Sequence, residues 1–156
     1  MTLRILTLAF VLVALSSYAA SPSKISSEGF VYLRSDEVNL RSGPDARHPV
    51  KWVIKSRGEP MKVLEKFYQW LRVKNIDGYE GWIQMPMTGR RKYAIVVSAN
   101  KKPITAHATS SVKSRKVVRL EPGVRVGVSK CNDSGWCKIS IEGFKAWIDK
   151  KNLWGV

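Results

Sequence analysis

The chain repeats itself. Val53-Ile54-Lys55, Gly58, Lys62-Val63, Trp70-Leu71-Arg72-Val73, Gly78 and Trp82-Ile83 return as Val117-Val118-Arg119, Gly123, Arg125-Val126, Trp136-Cys137-Lys138-Ile139, Gly143 and Trp147-Ile148, at offsets of 64, 65, 63, 66, 65 and 65. A near-constant shift over six landmarks marks two copies of one structural unit. Each copy has only about 60 residues, near the lower limit for a self-sufficient core, so the repeat predicts either extra stapling or packing of one copy on the other.

Within the copies no helical period is sustained. Apolar and polar residues alternate in short runs with turn residues every 8 to 12 positions, which is the pattern of an all-β chain. The runs place strands at 30–33, 37–41, 50–55, 61–67, 70–75, 79–84, 93–97, 103–107, 116–120, 125–131, 136–141 and 145–149. Ser42-Gly43-Pro44, Asp77-Gly78, Glu121-Pro122-Gly123, Asn132-Asp133-Ser134-Gly135 and Glu142-Gly143 punctuate them, each supplying Gly for positive φ, Pro for fixed φ, or both.

The start of the chain reads as an export signal. A charged beginning through Arg4 precedes an apolar run over 5–15, then the small residues Ser16, Ser17 and Ala19. An eleven-residue run is short for a membrane anchor, which needs about 20 residues. Cleavage after Ala19 puts Ser17 and Ala19 at the small-residue positions, whereas cleavage after Ala20 would put bulky Tyr18 at one of them. The expected mature chain is exported, periplasmic or secreted, with no transmembrane segment.

Charge then narrows the partners. The 156 residues hold 27 Lys+Arg against 12 Asp+Glu, a net charge of +15, and 44 % are apolar. This composition excludes disorder, collagen and a polytopic membrane protein, and two Cys exclude a disulfide-dense mini-protein. Outside the cytoplasm the counter-charges on offer are wall, lipid and glycan surfaces, so no physiological nucleic acid is expected. The reading divides the chain into a signal peptide at 1–19, a short polar segment at 20–29, a first domain at 30–89, a basic ordered connection at 90–102 and a second domain at 103–156. Arg90-Arg91-Lys92 and Lys101-Lys102 give the connection five positive charges and no acid.

Val38-Asn39-Leu40-Arg41-Ser42-Gly43-Pro44, the isolated Trp70, the hairpin glycine Gly78 and Gly81-Trp82-Ile83 together resemble the bacterial SH3-like domain. Gly135-Trp136-Cys137-Lys138-Ile139 and the closing Leu153-Trp154-Gly155-Val156 continue the likeness in the second copy. The exported two-copy proteins of this kind in alphaproteobacteria also share Pro49-Val50-Lys51-Trp52-Val53 and Gly89-Arg90-Arg91. The resemblance covers about residues 30 to 156 and implies two tandem small, strongly bent antiparallel SH3-like barrels. It also implies a binding or targeting role, since such modules are often attached to cell-wall hydrolases. Copy two departs from the pattern: Ile104-Thr105-Ala106-His107-Ala108-Thr109-Ser110 stands where Val38 to Pro44 stood, and Ala146 replaces the glycine before Trp147. Any ligand site in the first loop of each copy should therefore differ between copies.

Few residues are suited to covalent chemistry. Cys131 and Cys137 flank a turn-rich loop, and a hairpin there would bring them near disulfide distance. Export and an even cysteine count favour that pairing over buried thiols or a metal or redox role. Zinc lacks ligands, because His48 lies in copy one and His107 is 24 positions before Cys131. No Ser sits in a Gly-x-Ser-x-Gly elbow and the acids are scattered, so no catalytic residue, cofactor or enzyme activity is expected.

Binding is the better expectation. Tyr68, Trp70 and Trp136 stand at loop–strand junctions where a half-exposed ring can stack on a peptide or sugar. Arg41, Arg90, Arg91 and Lys92 are candidates for pairing with carboxylates of a wall peptide, against a bland role as solvated surface. Trp82 and Trp147 are expected in the barrel cores, and Trp154 as a lid on the second barrel or a contact between copies. These features favour a non-catalytic module of the cell envelope that recognises peptidoglycan or another anionic wall component. The alternatives are a periplasmic or secreted adaptor for a peptide or partner protein, and a secreted effector.

Overall fold

A computed structural model describes residues 29–90 and 93–156. The expected signal peptide, nearly all of the polar segment after it, and Arg91 and Lys92 lie outside the described residues. Two units follow each other. The first contains β1 (Gly29–Leu33), β2 (Val38–Arg41), β3 (Val50–Ile54), β4 (Pro60–Phe67), β5 (Trp70–Lys74), β6 (Glu80–Gln84), a 3-10 turn (Met85–Met87) and β7 (Thr88–Arg90). The second contains β8 (Tyr93–Val96), β9 (Ile104–His107), β10 (Lys116–Leu120), β11 (Arg125–Cys131), β12 (Trp136–Ile141), β13 (Phe144–Asp149), a 3-10 turn (Lys150–Asn152) and β14 (Leu153–Trp154).

Each unit is one seven-stranded antiparallel sheet, and the orders β3-β2-β6-β5-β4-β1-β7 and β10-β9-β13-β12-β11-β8-β14 correspond strand for strand. The sequence repeat is thus a repeat of topology, and the all-β reading holds. The glycine landmarks repeat in conformation too, with Gly58 and Gly123 at φ 78° and 91°, and Gly78 and Gly143 at 92° and 83°. These are turn geometries that glycine enters without steric cost.

Two strands escaped the sequence reading. β7 and β14 are too short to alternate, and each exists because it pairs with the first strand of its own unit, β1 or β8. The segment 93–97, read from sequence as part of the connection, supplies β8, which pairs with β11 and β14 in the second sheet.

Strand alternation builds two cores. Leu33, Val38, Leu40, Met61, Leu71, Val73 and Ile83 fill the first, while Ala94, Val96, Ala106, Leu120, Val126, Cys137, Ile139, Ala146, Ile148 and Leu153 fill the second. The expectation that Trp82 and Trp147 lie in these cores is corrected. Gly81 and Ile83 point inward, as do Ala146 and Ile148, so the period of two turns both indoles to the outer face, where they are half-buried. Lys130 Nζ lies 5.9 Å above the Trp147 ring.

Both ways of supporting a small core are present. Cys131 and Cys137 form a disulfide across directly opposed positions of β11 and β12, with Cα atoms 3.9 Å apart. This is closer than the usual lower bound of about 4.4 Å for disulfides. Cys137 belongs to the second core and Cys131 is exposed. The closed loop is short, so reduction, or Cys131→Ser with Cys137→Ser, is expected to lower unfolding free energy by about 2 kcal/mol. Denaturant titration with and without reductant measures it, and unchanged midpoints would refute the contribution.

The units also pack on each other. Phe30 and Trp154 meet edge to face at 4.8 Å, and Tyr32 and Tyr93 at 5.3 Å. Arg125 Nη1 donates to Ser56 Oγ at 2.8 Å and lies 3.7 Å from the Glu59 carboxylate. Of the two sequence readings for Trp154, the structure shows the contact between copies: its ring meets Phe30, while its backbone in β14 pairs with Ile95.

Glu59 adds a pH dependence to this junction. Its side chain is 12 % exposed, and burial pushes its carboxyl above the ordinary value, with Asp77 adding to the rise and Ser56 and Arg125 opposing it. The folded chain therefore holds this proton more tightly than the unfolded chain. The stabilisation from protonation is fully present below the unfolded pKa and is lost as pH rises through the higher folded pKa. Relative to Glu59→Gln, the natural protein is expected to gain stability as pH falls through that window, opposite to a carboxylate whose pKa falls on folding. Paired melts of the two proteins across mildly acidic pH check this, and a difference constant with pH would refute it.

Candidate binding cleft

The cleft forms where β2 leaves the core of the first unit. Val38 and Leu40 face inward, which turns Asn39 and Arg41 to the outer side. The chain after β2 folds back through Ser42 N to Pro49 O at 3.0 Å and His48 N to Asp45 O at 3.2 Å. Asp45 accepts from Arg47 N at 2.8 Å and Arg47 Nε at 3.0 Å. Those bonds hold the exposed Asp45 carboxyl down to about 2, so it stays ionised and keeps the turn fastened near neutral pH. The His48 ring lies over Gly43 so closely that any side chain there would collide with it.

Arg41 Nη1 donates to His48 O at 2.8 Å, which aims the guanidinium along the loop. Among the described residues Arg41 has no ion-pair partner. Beside it opens a cleft of about 300 Å³. Glu37, Asn39, Arg41 and Gln84 give it polar groups, and Val38, Ala46, Trp70, Ile83 and Met87 give it an apolar wall. A half-buried indole and a guanidinium without an ion-pair partner, lining one cleft, suit a ligand that has a carboxylate and an apolar or sugar-ring face.

The candidate residues from the sequence separate here. Arg41 and Trp70 come together in the cleft. Tyr68 sits at the tip of the β4–β5 hairpin, 80 % exposed, at φ 47° and edge to face with Phe67 at 4.7 Å. Arg90 lies on β7 opposite Val31, and Trp136 belongs to the second unit. Glu37, Asn39, Gln84 and Met87 were missed as cleft residues. The alternation of β2 groups Asn39 with Arg41, but the approach of Gln84 and Met87 depends on β6 and the 3-10 turn folding beside β2.

The second unit builds the same frame with different chemistry. His107 takes the register position of Arg41, opposite Trp147 as Arg41 is opposite Trp82. Its Nδ1 lies 3.1 Å from Ser114 O, the counterpart of the His48 carbonyl. The imidazole is 7 % exposed and edge-on to Trp136 at 6.0 Å. Where the first unit offers an aromatic wall and a free cation, the second packs its aromatic residue against a buried ring. No group of three or more His, Cys, Asp or Glu that could hold a metal comes together among the described residues.

The tandem architecture has a counterpart among known families. A family model described as the bacterial SH3 domain matches residues 34–88 and again 104–155. The chain belongs to the bacterial SH3 domain family. It is a tandem bacterial SH3 protein, with one match in each sheet. The chain is 22 % identical over 137 residues to YrvJ of Bacillus subtilis (strain 168), a protein named as an N-acetylmuramoyl-L-alanine amidase. The match covers 83 % of this chain and 26 % of that protein, so the SH3 pair spans about a quarter of the relative's length. Among solved structures it is similar to an NlpC/P60 family protein from Bacillus cereus ATCC 10987, with 14 % identity, TM-score 0.36, and 81 % and 56 % of the two chains covered. It is also similar to NlpC1 from Trichomonas vaginalis, with 16 % identity, TM-score 0.37, and 94 % and 50 % covered.

Proposed function

We propose that this tandem SH3 protein is an exported, non-catalytic binding module of the bacterial cell envelope that recognises peptidoglycan or another anionic wall component. The observation that carries the reading is the cleft of the first SH3 unit, which Arg41 and Trp70 line together and where Arg41 has no ion-pair partner among the described residues. A wall peptide offers carboxylates for the guanidinium and sugar or aliphatic faces for the indole. The name of the amidase relative, N-acetylmuramoyl-L-alanine amidase, supports a muramoyl peptide as a ligand to test. The net charge of +15 adds a long-range attraction to any anionic wall polymer.

The test is retention on purified sacculi at low and high salt, for the natural protein and for Arg41→Ala with Trp70→Ala. Retention that survives roughly 0.3 M salt, where the Debye length falls to about 6 Å, and drops about tenfold in the double variant supports the cleft. Equal retention of both proteins, or retention lost entirely with salt, sinks it. A second reading, an adaptor that holds a partner protein, is favoured by one separate observation, the exposed apolar strand β3 at the edge of the first sheet.

A further inference from the structure

The two edge strands β3 and β10 occupy equivalent places in the two sheets but are finished differently. Each pairs with one neighbour, β2 or β9, and leaves its other side open among the described residues. β10 reads Lys116-Val117-Val118-Arg119-Leu120 and carries two exposed cations, Lys116 and Arg119. Cations on an open edge are a common guard against unwanted strand pairing. β3 reads Val50-Lys51-Trp52-Val53-Ile54, with one cation in five residues and an almost fully exposed profile. Val50, Trp52 and Val53 are 42 %, 42 % and 47 % exposed, and Trp52 packs against Tyr79 at 4.7 Å. The first sheet therefore presents a long apolar edge that the second sheet blunts.

We infer that β3 is a docking edge for an extended, acidic segment of a partner protein, which adds to the first sheet as an additional strand. Open backbone N–H and C=O groups supply the pairing, and alternating pockets read the side chains. The bulge at Lys51 sets Val50 beside Arg41 and Trp52 beside Leu40, on opposite faces of the sheet, so an incoming strand would meet apolar residues on both faces and place its acidic residues near Lys51. Charge selects the partner. Residues 49–57 contain Lys51, Lys55 and Arg57 and no acid; Lys55 pairs with Glu37, while Lys51 and Arg57 have no ion-pair partner among the described residues. A second copy of this chain would bring the same cations and another +15 to the edge. This site is distinct from the Arg41–Trp70 cleft, and neither depends on the other.

The probe is a blocked peptide of alternating Glu and Val matched to the length of β3, titrated into the full protein and read by NMR shifts and amide exchange. Binding is expected to perturb residues 50–54 and slow exchange of their outward amides. It should weaken about tenfold or more when the peptide's edge amides are N-methylated, when Glu is replaced by Lys, or in Trp52→Lys. Val53→Lys gives the same result if Trp52→Lys fails to fold, and Arg119→Ala on the second edge leaves binding unchanged. Trp70→Ala also leaves peptide binding unchanged, which separates failure of this edge from failure of the wall-binding cleft. Binding that tolerates N-methylation, prefers the Lys peptide, or maps away from β3 overturns the proposal. So does self-association of the peptide-free protein that Trp52→Lys abolishes, because the occupant would then be a second copy.

Discussion

Gly81→Val is expected to destabilise the first unit by about 3 kcal/mol, near the top of the usual cost of overpacking. A Cβ at Gly81 would lie 2.9 Å from the Arg41 carbonyl oxygen and 2.9 Å from Leu40 Cβ. The first of these is backbone, so the strain cannot be relieved by turning a side chain. β2 would have to move away from β6, and Arg41 would leave the cleft with it. The second unit supplies the internal control. Ala146 occupies the equivalent position, fully buried in its core, where β9 carries the smaller Ala106 opposite the place of Leu40. Ala146→Gly should cost only about 1 kcal/mol, mainly from backbone freedom in the unfolded chain. Chemical denaturation of the two variants side by side tests this asymmetry, and a mild Gly81→Val effect would show that β2 and β6 separate more easily than their packing implies.

Trp154→Ala is expected to cost about 2 to 3 kcal/mol and to loosen the two SH3 units from each other. Its ring meets Phe30 across the junction at 4.8 Å while its backbone pairs with Ile95 of β8. The next residue, Gly155, stands at φ 120° with its Cα side against Tyr93 O, Ala94 Cα and Pro60 Cβ, so the chain end is seated between the units. Loss of the indole should turn one cooperative calorimetric transition into two. A double-mutant cycle with Phe30→Ala isolates the ring contact, with an expected coupling of about 1 kcal/mol. Additive single effects would assign the stability to burial of each ring separately, and an unsplit transition would assign the coupling of the units to Tyr32–Tyr93 and Arg125.

Much of the fold was legible because its causes are local. Alternation in Val38-Asn39-Leu40-Arg41 sorts core from surface without knowledge of neighbours, and Gly78 and Gly143 mark turns that few other residues would adopt. The same alternation, applied to Gly81-Trp82-Ile83, would have placed the indole outside. A mid-strand place after a hairpin points Trp82 to the core, but Gly81 and Ile83 claim the inward positions. β7 and β14 were illegible because a strand of two or three residues is defined by its partner. The cleft was half legible: Arg41 and Trp70 were each chosen for chemistry, while their sharing a cleft depends on the sheet order, in which β6 pairs with β5 on one side and β2 on the other. The correspondence of His107 with Arg41 could be aligned from sequence, but its burial against Trp136 could not.

The sequence by itself determined that this protein is two copies of one small β unit, joined by a basic segment and chemically unequal in their first loops. Periodicity, turn residues and the 65-residue shift are properties of the chain, and they act before any tertiary contact forms. Only the tertiary structure decided that the units are seated on each other through Phe30, Trp154, Tyr32 and Tyr93, that Arg41 and Trp70 share a cleft, and that β3 is left as an open edge. Those outcomes depend on which surfaces remain after each sheet has closed on its core. Burial is a property of the packed whole, and no single segment contains it.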